Sequence, residues 1–440
     1  ADFISTRKGI TYLDLFAGAG GFSEGFMQAY TDDKYFDFRL ASDINENCEL
    51  THRVRYNDML GLDTKFLCQD IMDDSFLTNL LREIGSQEID VVTGGPSCQS
   101  FSLAGRRKKL DKRDDLFFHY LKVIKALRPK YFVMENVKGI LTKDEGRIKE
   151  RILREIRSIV DDAKMNYLFE FMANNIRTLM PSSLYEILYA RLCMETLDCN
   201  RERQHEIVFN NLDQQLKDLT KHLPYNISKS DESVNTIRHG LLLLKMKQQR
   251  DSIRKQIIQL KTNSHIDNDT FVDEYNALIE TISDEKILEK TFDAIDKVTS
   301  MGKCHNEAAT LKKSLEILIS TFDECIDFIG EQVKDDKFLT SNLDSLMKEI
   351  RLYNIEEPLV LLSSNYGVPQ NRERVVFIGC RNDQEIINEI PATVSDDEKV
   401  KVYEALWDLD MVGNGETVTS YKTPETIKEY ESTKKKRGVQ

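Results

Sequence analysis

Hydrophobic residues in the first third of the chain are concentrated in short runs that end close to glycine or polar residues. The runs cover residues 11–16, 38–44, 66–71, 89–93 and 131–137. Continuous apolar runs of this length are typical of strands that are buried on both faces of a parallel sheet. Between them, apolar residues at helical spacing predict helices, for example at 22–30 and 115–127. The alternation predicts an α/β fold with a doubly wound, mostly parallel sheet.

The apolar spacing becomes helical over a long middle stretch. Only three of the 20 glycines fall between residues 147 and 352. One predicted apolar stripe consists of Leu242, Met246, Ile253, Ile257 and Leu260. This spacing predicts a bundle of long amphipathic helices.

The α/β pattern then returns in two apolar runs, at 357–364 and 374–380. From residue 413 onward the chain is polar and loop-like. We therefore expect four segments: the first part of an α/β domain at 1–145, a helical insertion at 146–352, the second part of the α/β domain at 353–411, and a polar segment at 412–440.

Bulk composition is that of an ordinary soluble protein, with 40% hydrophobic and 31% charged residues in 440. No apolar run approaches the roughly 18 residues of a membrane span, and no signal-peptide core is present at the N-terminus. A cytoplasmic location without a membrane partner is therefore expected. The net charge of −13 argues mildly against a protein that coats nucleic acid. The basic run at 106–113 can override this total locally.

Cys98 is the cysteine whose surroundings suggest chemistry. It follows the strand predicted at 89–93 and the turn of Gly94, Gly95 and Pro96, at the sheet edge where open α/β sheets bind ligands. If the basic run folds back, its field favours a thiolate. The alternative is a buried structural cysteine. The eight cysteines are otherwise scattered, without zinc spacing, so we expect reduced thiols and no metal.

A glycine-rich turn at 17–21 separates the first predicted strand from a helix, and such turns bring backbone N–H groups close to a ligand. It is not the dinucleotide fingerprint, because Ser23 occupies the position of the third glycine. Asp43 ends the second predicted strand, where a carboxylate can accept hydrogen bonds from ribose hydroxyls and Ile44 can pack against adenine. The alternative for Asp43 is an N-cap of the helix from Glu46.

Polar side chains also end the later predicted strands. Glu135 closes the run at 131–137, and a carboxylate at a buried sheet end is costly without a partner. Gln370, Arg372 and Arg374 alternate along a segment predicted to be extended, so their side chains would share one face. They would form either a pocket wall or a charged edge strand.

Four motifs in this order resemble the DNA (cytosine-5) methyltransferase family of bacterial or phage type: DLFAGAGGFS at 14–23, PSCQ at 96–99, ENV at 135–137 and QNRER at 370–374. The resemblance covers roughly residues 10–141 and 357–410, and implies a Rossmann-like class I methyltransferase fold. The chain departs from the family in three ways. Ser97 stands where proline is common, and the last two motifs are separated by a long insertion. The target-recognition domain and the C-terminal Gly-Asn-containing motif are expected to be absent, either by truncation or because they form a separate polypeptide.

The resemblance implies transfer of a methyl group from S-adenosyl-L-methionine to C5 of a cytosine flipped out of double-stranded DNA, leaving S-adenosyl-L-homocysteine. A thiolate that adds to C6 makes C5 nucleophilic, and a proton donor at N3 and a cation at O2 stabilise the charge that develops. The implied catalytic residues are Cys98 as nucleophile, Glu135 at N3, Arg374 at O2, Arg372 beside Cys98, and Gln99 and Asn136. The base that removes the C5 proton is not identified.

The resemblance also implies two sets of binding residues. Those expected at the cofactor are Phe16, Ala17, Gly18, Gly20, Gly21, Asp43, Ile44, Asp70, Ile71 and Leu116. Those expected at the DNA are Ser102, Arg106, Arg107 and Gln370.

Three other functions compete with this interpretation. An enzyme of the same fold that methylates tRNA would share the cofactor turn, the cysteine and ENV. A noncatalytic subunit would use the helical insertion for assembly. A nicotinamide oxidoreductase is disfavoured by Ser23 and Cys98. The insertion has no obvious basic face, which favours a scaffold or partner-binding surface over a DNA clamp. A restriction endonuclease system or another subunit is the expected partner, in a nucleoid-associated cytoplasmic setting.

Overall fold

The computed structural model describes residues 8–97, 116–196, 198–223, 232–248, 284–301 and 304–406. These residues belong to two compact units. The first lies within Ala1–Cys98, His119–Lys149 and Ile355–Gln440, and the second within Gln99–Phe118 and Glu150–Asn354. Among the described residues, no helix is both long and apolar enough to cross a membrane.

One sheet contains eight strands, of which seven lie within the first unit, whereas the sixth strand begins in the second. The strands are β1 Lys8–Leu15, β2 Lys34–Asp43, β3 Lys65–Cys68, β4 Val91–Gly94, β5 Tyr131–Val137, β6 Tyr353–Ile355, β7 Leu359–Leu362 and β8 Glu373–Arg381. Their order is β3-β2-β1-β4-β5-β8-β6, and β7 pairs with β8. The first five strands are parallel, whereas β8 is antiparallel to β5 and to β7.

Strand order reverses between β1 and β4, so the carboxyl ends of these two strands border a topological switch point. Ligands of open α/β sheets bind at such points. The glycine turn follows β1 and the loop toward Cys98 follows β4. The fold is therefore the doubly wound, Rossmann-like α/β fold that the apolar runs predicted.

Helices alternate with the parallel strands. Each buries the face on which its apolar residues recur. In α3, for example, Phe76, Leu80 and Ile84 are four positions apart and buried. The α-helices of this region are α1 Gly21–Gln28, α2 Glu46–His52, α3 Phe76–Ile84, α4 Leu116–Leu127 and α14 Val402–Leu406. A π-helix at Arg53–Met59 and 3₁₀ turns at Lys138–Leu141, Lys143–Gly146 and Ser363–Tyr366 complete it.

Several predicted strand boundaries differ from the structure, and two of the differences affect expected site residues. Strand β3 ends at Cys68, so Asp70 lies in the turn beyond it, where its carboxylate accepts a hydrogen bond from Met72 N at 2.9 Å. Gln370 is in a bend, because Arg372 N donates to Gln370 O at 3.1 Å. Strand β8 begins only at Glu373. The extended alternation predicted for Gln370, Arg372 and Arg374 therefore does not include Gln370.

The second unit is helical, as the long apolar spacing predicted. Its helices are α5 Arg147–Arg157, which begins in the first unit, then α6 Met165–Asn175, α7 Ser182–Cys193, α8 Arg201–Lys221, α9 Glu232–Gln248, α10 Asp284–Met301, α11 His305–Ile319, α12 Phe322–Val333 and α13 Lys337–Ile350. A 3₁₀ turn at Asp162–Lys164 lies between α5 and α6. One large apolar core, which runs from Val160 to Ile350, joins the helices.

The predicted stripe through Leu242 is wrong at that residue, because 53% of Leu242 is exposed. The buried apolar side chains described in α9 are Val234, Ile237, Leu241 and Leu244, spaced three, four and three positions apart. The sequence has leucine at every position from 241 to 244, so hydrophobicity alone does not indicate which of these four residues faces the core. The remaining members of the predicted stripe have side chains outside the described part.

Asp90 ties three strands together at the amino end of the sheet. One carboxylate oxygen accepts from Thr11 N at 2.9 Å and from Thr11 Oγ1 at 3.0 Å, and the other contacts Lys130 Nζ at 2.6 Å. Burial opposes the charge, but the bonds from Lys130 and Thr11 outweigh it and hold the pKa of Asp90 below its usual value. The charged form is therefore the stabilised one.

Replacing Asp90 by alanine should lower the free energy of unfolding at pH 7 by roughly 2 kcal/mol, since bonds to a charged group are lost. This contribution is complete above the ordinary pKa of aspartate and is lost as the pH falls through the lower folded-state pKa. Denaturant titrations at neutral and acidic pH measure it. The control is Asp37→Ala, which removes the more exposed ion pair with Arg39 and should cost less than about 1 kcal/mol. Equal losses for the two variants would contradict the assignment.

Candidate active site

The glycine turn after β1 is held in a left-handed conformation. Phe16, Gly18 and Gly20 have φ of 57°, 53° and 92°. Gly20 is also tightly packed, because an added Cβ would lie 3.0 Å from Tyr56 Oη and 3.2 Å from His52 Nε2. A side chain at this position would therefore clash with Tyr56 and His52 and disturb the turn, whether or not a ligand is bound.

Gly18 and Gly21 differ from Gly20, because an added Cβ would meet nothing within 4 Å at either position. The turn is thus open at its first glycine and at the first residue of α1. Ala17 N donates to Ser42 O at 3.0 Å, which fastens the turn to β2. Ala17 itself is buried. This geometry leaves room for a ligand to approach the backbone.

Asp43 supports this turn and does not cap α2. Its Oδ2 accepts from Gly18 N at 2.9 Å and its Oδ1 from Asn45 N at 3.0 Å. The N-cap is Asn45, whose side chain accepts from Asn47 N, so the cap alternative for Asp43 is wrong. Ile44 follows with 66% of its surface exposed. An apolar side chain this open beside the glycine turn is suited to pack against a flat ring.

The remaining residues expected at the cofactor have less open positions. Ile71 is buried in the core, and Asp70 lies in the turn before it. Leu116 is half-buried at the first turn of α4. A role for any of them at a cofactor stays a prediction.

Glu135 and Arg374 form a close ion pair on adjacent antiparallel strands. In the register of β5 and β8, Glu135 is opposite Val376 and Val137 is opposite Arg374. Arg374 Nε lies 2.5 Å from Glu135 Oε1. Both side chains are partly exposed, at 22% for Arg374 and 30% for Glu135. The pair is therefore accessible from solvent at the sheet edge.

The turn after β4 packs directly against this pair. An added Cβ on Gly95 would lie 3.2 Å from Glu135 Oε2. Asn136 Nδ2 donates to Pro96 O at 3.1 Å. The ENV motif thus holds the Gly95–Pro96 turn from which the chain continues toward Cys98. Three motifs that are far apart in sequence meet here.

Electrostatics at Glu135 favour a carboxyl that retains its proton above the usual range. Burial raises the pKa of Glu135, and the positive charge of Arg372 partly opposes this shift. Arg372 is exposed just before β8. Burial favours the protonated carboxyl, which can donate a proton, whereas the guanidinium groups of Arg372 and Arg374 favour its carboxylate form.

Five of the expected site residues lie outside the described residues: Cys98, Gln99, Ser102, Arg106 and Arg107. The described range 8–97 ends one residue before Cys98, the nucleophile that the sequence predicted. Gln370 is described, in the bend before β8, and its expected contact with DNA stays a prediction. Within the described part, no group of three or more His, Cys, Asp or Glu side chains could hold a metal ion.

Sequence reasoning missed a buried carboxylate between the two loops. Asp14 is 1% exposed and accepts hydrogen bonds from Ser23 in α1 and from Thr93 in β4. The available signal was an acid inside the apolar run LDLF, where an unpaired carboxylate would be costly.

Comparison with known proteins gives two kinds of similarity. The profile of the family described as C-5 cytosine-specific DNA methylase matches residues 10–316 and 332–439. The chain is 37% identical over 155 residues to the type II methyltransferase M1.HphI of Haemophilus parahaemolyticus, which covers 34% of this chain and 38% of that protein.

Two further relatives are also type II methyltransferases. Identity is 35% over 156 residues to M.XorII of Xanthomonas oryzae pv. oryzae, covering 35% of this chain and 34% of that protein. It is 36% over 161 residues to M.AquIA of a Picosynechococcus species, covering 36% and 60%. The alignments thus span from about a third to three fifths of these relatives. Because the family profile matches most of its length, this chain belongs to the C-5 cytosine-specific DNA methylase family.

Proposed function

We propose that the protein transfers a methyl group from S-adenosyl-L-methionine to C5 of a cytosine in double-stranded DNA, within a restriction-modification or related system. The observation that carries this proposal is the contact of Glu135 with both Arg374 and the turn that leads to Cys98. Family membership and the type II relatives support the same reaction.

In the proposed reaction the Cys98 thiolate adds to C6 of the base, and negative charge develops at N3 and O2. Glu135 donates its proton at N3, which its raised pKa favours. Arg374 stabilises the charge at O2. Arg372, whose charge acts on Glu135, is proposed to orient the nucleophile or a phosphate. C5 then takes the methyl group and S-adenosyl-L-homocysteine leaves. A base removes the C5 proton and N3 returns its proton to Glu135, which expels the Cys98 thiolate and restores the aromatic ring.

The described residues fit a methyl donor at the switch point. Open space at Gly18 and Gly21 admits the ligand to the backbone, and exposed Ile44 offers a surface for adenine. Asp43 keeps lone pairs for ribose hydroxyls while it holds Gly18. S-adenosyl-L-methionine, when bound, supplies an electrophilic methyl group.

DNA binding is proposed for the basic stretch after Cys98. The target base must leave the helix to reach the pocket, so the protein must hold the opened strand. Ser102, Arg106, Arg107 and Gln370 are the proposed contacts. The helical segment at 146–352 is proposed to act as a scaffold or partner surface inserted into the methyltransferase domain.

Gly21→Leu should weaken binding of S-adenosyl-L-methionine by roughly tenfold or more, because the side chain enters the open space at the start of α1. Isothermal titration calorimetry on the complete protein measures the Kd. Gly25→Leu is the matched control: Gly25 also has nothing within 4 Å of an added Cβ, but it is exposed one turn further along α1. Equal affinity in the two variants would place the cofactor elsewhere.

The proposed reaction is tested by incubating the complete protein with S-adenosyl-L-methionine labelled in its methyl group and with either plasmid DNA or tRNA. The proposal expects label in DNA, in a product that comigrates with 5-methylcytosine after digestion. Label confined to tRNA would replace DNA by RNA as the substrate. Cofactor binding without transfer to either would indicate a noncatalytic subunit.

A further inference from the structure

Asp14 is a buried carboxylate that the proposed chemistry does not use. It is the penultimate residue of β1 and is 1% exposed. Its Oδ2 accepts from Ser23 Oγ at 2.5 Å and from Ser23 N at 3.1 Å. Its Oδ1 accepts from Thr93 Oγ1 at 2.7 Å. All three bonds lie in the interior.

Two hydrogen-bond partners of Asp14 belong to different elements beside the site. Ser23 is the third residue of α1, which the glycine turn precedes. Thr93 is the third residue of β4 and lies directly opposite Asp14 in the parallel register. Beyond it, Gly95 and Pro96 contact Glu135 and Asn136. One carboxylate therefore joins the start of the cofactor helix to the strand that carries the catalytic turn.

A carboxylate at this place has a cost that simple packing would not require. A buried acid loses its hydration, and apolar residues of similar volume often stabilise a core at least as well. The bonds to Asp14 are directional, and two of them fix hydroxyl groups on α1 and on β4. Strand pairing alone would hold β1 beside β4 but would not fix α1 against both.

We propose that Asp14 is a positioning residue that sets the placement of the methyl-donor turn relative to the nucleophile turn. Through Ser23 it holds the turn that binds the cofactor. Through Thr93 it holds the strand that leads to Gly95, Pro96 and Cys98. The inference rests on the proposed methyl transfer. The bonds of Asp14 to Ser23 and to Thr93 form a bridge with two arms. The Ser23 arm is assigned to cofactor binding and the Thr93 arm to turnover.

The two arms are tested separately because Asp14 variants are at risk of failing to fold. Ser23→Ala should raise the Kd for S-adenosyl-L-methionine roughly tenfold, since one hydrogen bond to the buried carboxyl group is lost. Its kcat at saturating cofactor should stay within about threefold of wild type. Thr93→Val should lower kcat roughly tenfold and leave that Kd within about twofold. Thr93→Ser, which restores the hydroxyl, should recover kcat.

Thr64→Val is the matched control for general destabilisation. Thr64 is also buried, and its hydroxyl donates to Phe38 O at 3.0 Å, away from both loops. It should lower thermal stability about as much as Thr93→Val, but it should not change kcat and Kd by different factors. If the Thr93 and Thr64 variants change both parameters alike, the bridge is structural only and the inference is overturned.

Failure of the proposed function gives a different result. If wild-type protein binds S-adenosyl-L-methionine but transfers no methyl group, the methyl-transfer proposal fails. The bridge is then judged by cofactor affinity alone: weaker binding in Ser23→Ala than in Thr93→Val supports the assignment of the arms, and equal binding overturns it.

Discussion

Cys98→Ala is expected to abolish methyl transfer, with residual activity at least about a thousandfold below wild type, because no other group supplies the covalent bond to C6. Binding of S-adenosyl-L-methionine should change less than about twofold, since the proposed cofactor contacts come from the turn after β1. Methyl incorporation into DNA and titration calorimetry, performed on the same preparation, measure the two quantities.

Cys48→Ala is the control for this variant. Cys48 is a half-buried free cysteine of α2, in the same unit, and burial raises the pKa of its thiol. A thiol of that kind is a poor nucleophile at neutral pH. The control should retain nearly full activity. Substantial transfer by Cys98→Ala, or equal losses in both variants, would contradict the assignment of the nucleophile.

Substitution of Glu135 should give the second largest effect. Glu135→Ala is expected to lower kcat roughly a hundredfold to a thousandfold, because it removes the proton donor at N3 and leaves Arg374 without its ion-pair partner. Glu135→Gln keeps an N–H donor and should lose less. The kinetics of methyl incorporation at saturating cofactor and DNA give both values.

The pH dependence separates a proton donor from a structural acid. Burial raises the pKa of Glu135, so the protonated form persists to a higher pH than in an ordinary glutamate. The wild-type rate should fall as the pH rises through this pKa, and Glu135→Gln should lack that alkaline limb. Glu373→Gln, which removes an exposed acid paired with Lys138 at 2.7 Å, should keep the wild-type profile. An unchanged profile in Glu135→Gln would show that Glu135 does not titrate in the rate-limiting step.

Much of the sheet could be predicted because apolar runs with sharp ends define buried strands. Strand β5 was expected at residues 131–137 and is observed at Tyr131–Val137, between Pro129 and polar residues. The predicted end of β3 was wrong since Ile71 continues the apolar run although it packs from a turn. Hydrophobicity alone does not distinguish a strand residue from a turn residue that reaches the core.

The site was partly predictable for a similar reason. Glu135 and Arg374 were singled out as carboxylate and guanidinium at strand ends, and their ion pair brings them together. Asp14 was not singled out because its two partners, Ser23 and Thr93, are nine and 79 positions away. No local spacing connects three residues of that kind. Parallel register, which sequence periodicity does not specify, places Thr93 opposite Asp14.

The need for glycine at position 20 also depends on tertiary packing. The sequence indicated a backbone that approaches a ligand closely. The structure adds that Tyr56 and His52 lie beneath Gly20, so a side chain there would damage the fold as well as the ligand site. Gly21 is the better position for a probe of cofactor binding, since its surroundings are open.

The most direct test of methylation by a covalent cysteine mechanism is bisulfite sequencing of DNA from cells that express the complete protein, beside cells that express its Cys98→Ser variant. The account predicts 5-methylcytosine at a recurring sequence with wild type and none with the variant. Absence of methylcytosine in both, with the wild-type protein folded and binding S-adenosyl-L-methionine, would contradict it.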